Sequence, residues 1–119
     1  MYSLEYNIAM EIDVYETASG KRPLDGWLNK LDKTISGKIL VRINRLRLGN
    51  FGDCKPISEG VSELRLCFGA GYRIYYSKIK NTLVLLLCGG DKGSQKKDIQ
   101  KAKGYLEDYK NWEKKYGTK

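Results

Sequence analysis

Residues 63–76, ELRLCFGAGYRIYY, alternate apolar and polar side chains on either side of Gly69-Ala70-Gly71, the pattern of two antiparallel strands joined by a tight turn. With a three-residue loop, Phe68 faces Tyr72, Leu66 faces Ile74 and Leu64 faces Tyr76, so the even positions form one apolar face. The odd positions then stand on the other side of the sheet, with Cys67 opposite Arg73, Arg65 opposite Tyr75 and Glu63 opposite Ser77. Two guanidinium groups, a phenol and a carboxylate are thereby gathered on one patch. The gathering depends on register, because a slip of one residue sends Arg65 and Arg73 to opposite faces.

Upstream, Ile8, Met10, Ile12 and Val14 alternate with Glu11, Asp13 and Tyr15, the period of a half-buried strand over 8–15. Pro23 follows a Gly-Lys-Arg turn and suits the first turn of a short helix with Leu24, Trp27, Leu28 and Leu31 inward. A second helix is expected from about residue 33 to 48, stopped by Gly49-Asn50. Its apolar stripe is Ile35, Ile39, Leu40, Ile43 and Leu46, and Lys38, Arg42 and Arg45 lie opposite. Residues 49–60, GNFGDCKPISEG, read as loop with at most a short edge strand around Lys55.

Beyond the hairpin, five apolar residues run unbroken from Leu83 to Leu87, a strand covered on both faces. A Gly-rich turn over 89–94 then leads into a helix over about 95–116, with Ile99, Ala102, Leu106, Tyr109 and Trp112 on one stripe. Strand, helix, helix, strand meander and helix in that order argue for α+β. The expected architecture is an antiparallel sheet with two N-terminal helices packed on one face and a C-terminal helix, the even-numbered hairpin face meeting the helices. No repeat or linker interrupts the chain, which reads as one domain over 1–119.

Lys and Arg total 22 against 14 Asp and Glu, a formal charge of +8. That excess suits a polyanion such as nucleic acid, and equally a merely soluble surface. The three cysteines, Cys54, Cys67 and Cys88, are odd in number and lack CxxC spacing, which fits reduced thiols in a cytoplasmic protein. Neither a signal peptide nor a membrane-length apolar run is present. Histidine is absent, which excludes Ser-His-Asp and Cys-His catalysis and histidine metal sites. Acid-base work must fall to lysine, arginine, tyrosine or carboxylates. No carboxylate cluster suggests a metal, and no cofactor is expected.

The local motif CGGDKGS, 88–94, occupies the place of a phosphate-binding loop but lacks the GxxxxGK[ST] spacing, so an ordinary strand-to-helix turn is the better reading. Lys92 can still reach a phosphate held elsewhere. For Arg65 and Arg73 two readings compete: a solvated sheet face, or a bidentate grip on phosphate with Tyr75 stacking a base.

The separated blocks GNFGDCKPISEGVSELRL, GAGYRIYY and LLLCGGDKGSQKKDI closely resemble the RelE/ParE superfamily of bacterial toxin-antitoxin toxins, and within it the HigB-like addiction-module killer proteins. The resemblance implies a RelE-like α+β fold, a bacterial cytoplasmic toxin and a cognate antitoxin, often a helix-turn-helix protein through which alone operator DNA is reached. It also implies a ribosome-dependent mRNA endoribonuclease that works without metal, by attack of a ribose 2′-OH on the adjacent phosphate. By motif, Arg65 and Arg73 would bind the scissile phosphate, Lys55 and Lys92 are candidates for general base or charge stabiliser, and Tyr75 would orient or stack a base. Lys38, Arg42 and Arg45 are expected to dock on ribosomal RNA, away from the scissile site. Two other readings stand beside this one: a ParE-like toxin that inhibits DNA gyrase by binding, and a basic nucleic-acid-binding module without catalysis.

Overall fold

The computed structural model describes residues 9–117, so Ile8 of the expected first strand lies outside the described residues. The elements are β1 (Glu11–Val14), α1 (Pro23–Asn29), α2 (Lys33–Arg47), β2 (Cys54–Ser58), β3 (Val61–Leu66), β4 (Tyr72–Ile79), β5 (Leu83–Gly90), a 3₁₀ turn (Lys92–Ser94) and α3 (Gln95–Tyr116). Among the described residues this is an α+β fold with a five-stranded sheet and three helices, compatible with a RelE-like fold.

Local chemistry sets the helix limits. Pro23 opens α1, where the missing N–H costs nothing. Asp32 caps α2 by accepting from the Thr34 N–H at 3.1 Å. The same helix ends where Gly49 takes φ +82° and its N–H bonds the Leu46 carbonyl. Ile39, Ile43 and Leu46 of α2 are buried as expected. Leu40 is 53% exposed, because only part of an apolar arc can face the sheet.

The sheet runs β1-β5-β4-β3-β2, and β1 lies parallel to β5 while the other pairs are antiparallel. The sheet is therefore mixed rather than antiparallel: α1 and α2 carry the chain back across one face, so β2 starts at the far edge. Pro56 and a register shift sit on β2 at that edge, where a missing donor does no harm.

The hairpin register differs from the expected one by two residues. Leu66 pairs with Tyr72, Arg65 with Arg73, Leu64 with Ile74 and Glu63 with Tyr75. Cys67 and Phe68 leave the ladder because the Phe68 N–H turns back to Leu66 and the Gly71 N–H to Phe68, which makes the connection five residues long. A shift of two preserves parity. Even residues still share one face, and the two arginines become direct cross-strand neighbours.

Both faces are covered. On one, Leu64, Leu66, Ile74, Tyr76, Val84 and Leu86 pack with Leu24 of α1 and Ile39, Ile43 and Leu46 of α2. Leu64 and Ile74 are fully buried, each removal from water contributing about 1.5–3 kcal/mol. On the other, Val61, Tyr75, Leu85 and Leu87 meet Ala102 and Leu106 of α3. The helices are thus divided between the faces, and the odd-numbered hairpin face is roofed by α3 along part of its length. The stripe of α3 reaches Tyr109, whereas Trp112 is 53% exposed.

Gly89 and Gly90 belong to β5 rather than to a turn. A Cβ on Gly89 would strike the Trp27 ring, and one on Gly90 would strike Asp98. The pair lets α1 and α3 approach the strand from opposite sides.

Candidate active site

Glu63, on the odd face of β3, is fully buried. Its Oε1 accepts from Gln95 Nε2 of α3 at 3.0 Å and lies 3.5 Å from Arg73 Nε, while its Oε2 lies 3.9 Å from Arg65 Nε. Two arginines placed directly across from each other repel, and a carboxylate shared between them offsets that repulsion. Arg73 is the more enclosed, with 12% of its side chain exposed and Nη1 donating to the Gly71 carbonyl at 2.7 Å. Arg65 is 41% exposed and donates from Nη2 to Asp53 Oδ1 at 3.1 Å.

Four buried side-chain atoms among the described residues lack a hydrogen-bond partner in the protein: Glu63 Oε2, Arg65 Nε, Arg73 Nε and Tyr75 Oη. All four belong to this one cluster. The Nε atoms stand within ion-pair range of Glu63 but outside hydrogen-bond geometry. Unpaired buried polar atoms are costly and rare, and their concentration in one place makes this cluster the candidate site.

Tyr75 is 0% exposed. Burial, followed by the charges of Glu63 and Asp98, raises its pKa and keeps the phenol neutral. No ring face is open, which corrects the expectation that Tyr75 stacks a base; α3, which the sequence reading set on the other side, covers it. Asp53 is exposed, and its pKa lies below the usual carboxylate range, chiefly through its hydrogen bond with Arg65.

Lys92 is exposed at the start of the 3₁₀ turn, and its N–H bonds the Ala70 carbonyl at 3.3 Å. A Cβ on Gly71 would lie 3.3 Å from Arg73 Nη1 and 3.4 Å from Lys92 Cβ, so the hairpin loop touches both residues. Lys55 is exposed on β2, opposite Glu63 in the ladder and on the same side of the sheet. Lys55, Arg65, Arg73 and Lys92 thus surround one end of the odd face.

The helix stripe is not remote from them. Arg42 and Arg45 line a cleft of about 360 Å³ together with Asp53, Arg65 and Cys67, and Lys38 Nζ stands 5.2 Å from the Phe68 ring centroid. The separation expected from the sequence fails because residues 49–53 lead from the end of α2 directly to Arg65: Arg42 Nη2 donates to the Phe51 carbonyl at 3.2 Å and the Arg65 N–H to the Asp53 carbonyl at 2.9 Å. Asp53 and Gln95, the partners that hold Arg65 and Glu63, were missed, since no local pattern marks them. No group of three His, Cys, Asp or Glu side chains among the described residues is arranged to share a metal ion.

Residues 26–107 match the model of the family described as phage-derived protein Gp49-like (DUF891). The chain belongs to the Gp49-like family. That family is of the addiction-module killer or toxin type, and the matched span contains every candidate residue of this Gp49-like site. The chain is also 51% identical over 80 residues to an uncharacterized protein of Haemophilus influenzae, a stretch covering 66% of this chain and 81% of the relative. No helix of the described residues is long and apolar enough to cross a membrane.

Proposed function

We propose that this Gp49-like protein is the toxin of a type II toxin-antitoxin module, held in check by a cognate antitoxin, and that it cuts messenger RNA on the ribosome. The observation that carries this reading is the pair Arg65 and Arg73, fixed side by side over one buried carboxylate with Lys55 and Lys92 at the margins. Both Nε atoms lie within ion-pair range of Glu63, and Asp53 takes Arg65 Nη2 while the Gly71 carbonyl takes Arg73 Nη1, so Arg65 Nη1 and Arg73 Nη2 are the groups proposed to meet a phosphate. In the reaction the ribose 2′-oxygen bonds to phosphorus, the bond to the 5′-oxygen breaks, and a 2′,3′-cyclic phosphate and a 5′-hydroxyl result. The arginines stabilise charge on the pentacoordinate phosphate, usually the largest catalytic contribution. Lys55 and Lys92 are the candidates for taking the 2′-proton and supplying one to the leaving oxygen, without a metal. Tyr75, on the same face, is packed under α3 with Ala102 and Leu106.

An in vitro translation reaction mapped by primer extension tests the reading, with end groups assigned on the fragments. Cyclic phosphate ends are expected, and Arg73→Ala should lower the cutting rate about 10²-fold to 10³-fold in a folded protein. Fragments ending in 3′-hydroxyls, or full activity of Arg73→Ala, would overturn the mechanism. Uncut message with altered DNA supercoiling would instead favour gyrase inhibition.

A further inference from the structure

A cavity of about 590 Å³ opens between α1 and the first turns of α3, beside the C-terminal end of β5. Pairing with β1 ends at Val14 and Leu86, so Cys88, Gly89 and Gly90 have no strand neighbour on that side. They form the cavity's wall. Lys21, Arg22, Lys30 and Lys101 stand exposed at its rim, Arg22 being paired with Asp25 at 2.8 Å. Trp27 lines it as well, its ring set over Gly89 and edge-on to Tyr72 at 6.1 Å between centroids. Deeper in lies Asp98, 7% exposed, its Oδ2 accepting from Ser94 Oγ while it packs on Gly90.

These groups ask for one kind of ligand. A bare phosphate or polyphosphate has use for the four cations but is repelled by the enclosed carboxylate. A neutral planar molecule suits Trp27 and Asp98 and leaves the cations idle. A nucleotide uses all of them, with its phosphate at the rim, its base against an aromatic ring, and an exocyclic amine donating to the carboxylate. We propose that this cavity binds a single nucleotide of an RNA strand. Gly90 lines the cavity and is the cross-strand partner of Arg73, so the cavity begins one strand, about 5 Å, from the arginine pair. Its place in the strand, next to the scissile phosphate, rests on the nuclease reading above; nucleotide binding itself does not.

The chain has two tryptophans, so Trp112→Phe leaves Trp27 as the sole indole reporter. Titration of that variant with AMP, CMP, GMP and UMP should quench Trp27 saturably, with the amine-bearing bases binding about tenfold tighter than UMP. Lys21→Glu with Lys101→Glu, both exposed, should weaken every nucleotide about tenfold or more. Asp98→Asn, checked for folding by near-ultraviolet circular dichroism, should erase the preference over UMP. Absence of saturable quenching, an equal response to inorganic phosphate alone, or indifference to the lysine reversals overturns the proposal. A separate cleavage assay keeps the two readings apart. Nucleotides that bind as described to a chain that leaves RNA uncut uphold the cavity and sink the nuclease, while cut RNA without quenching does the reverse.

Discussion

Glu63 sets a single carboxylate between Arg65, Arg73 and Gln95. It is fully buried, and with it go Arg73, 12% exposed at the side chain, and Gln95. Removing one member of a buried charge pair leaves the other uncompensated. Glu63→Ala should therefore lose about 3 kcal/mol in urea denaturation, with the loss reduced when Arg73 is replaced by Met in the same chain. Asp53 shows the exposed counterpart. Its lowered pKa means that its bond to Arg65 stabilises the fold above the unfolded-state value and is lost as pH falls through the folded one. The wild type should thus melt slightly above Asp53→Asn at pH 7, and the gap should close as pH falls through the lowered folded-state value and shrink in salt. Alternation alone made Glu63, Arg65 and Arg73 legible as one face. Asp53 and Gln95 were not, because they come from a loop and a helix that only tertiary folding brings to the strand.

At the scale of elements, the hairpin loop carries the site as much as the strands do. Gly71 sits at φ +75°, beside both Arg73 Nη1 and Lys92 Cβ. Gly71→Ala should cost about 1–2 kcal/mol for the left-handed backbone and should also displace Arg73, whose Nη1 bonds the Gly71 carbonyl. Loss of RNA cutting beyond what the shift in thermal midpoint explains would show the second effect, whereas activity that merely follows stability would remove the loop from the site. The sequence placed this turn to within two residues, since Gly-Ala-Gly announces a loop without saying where the ladder stops. It misjudged Gly89-Gly90 for a related reason. Two glycines in succession look like a turn until one sees that each admits a helix on a different side of the strand.

Taken as a whole, the molecule brings part of the basic face of α2 to the end of the sheet where Arg65 lies. Periodicity identified the α2 stripe, but the path of residues 49–53, which brings Arg42 and Arg45 into a cleft with Arg65 and Asp53, has no periodic signature and so could not be read. The consequence is functional. On the proposed nuclease reading, a stripe far from the arginine pair would raise affinity for RNA without affecting where it is cut, whereas a stripe that shares a cleft with Arg65 is expected to affect both. Arg42 also holds the Phe51 carbonyl, so the informative variant reverses Lys38 and Arg45 and keeps Arg42. If each reversed residue removes one phosphate contact, the slope of log affinity against log salt for a single-stranded RNA should fall by about 0.7 per contact, and the preferred cleavage positions of the residual activity should shift. An unchanged slope would reduce the stripe to a solvated helix face. A reduced slope with unmoved cleavage positions would mean that the cleft holds the RNA backbone without guiding the bond to be broken.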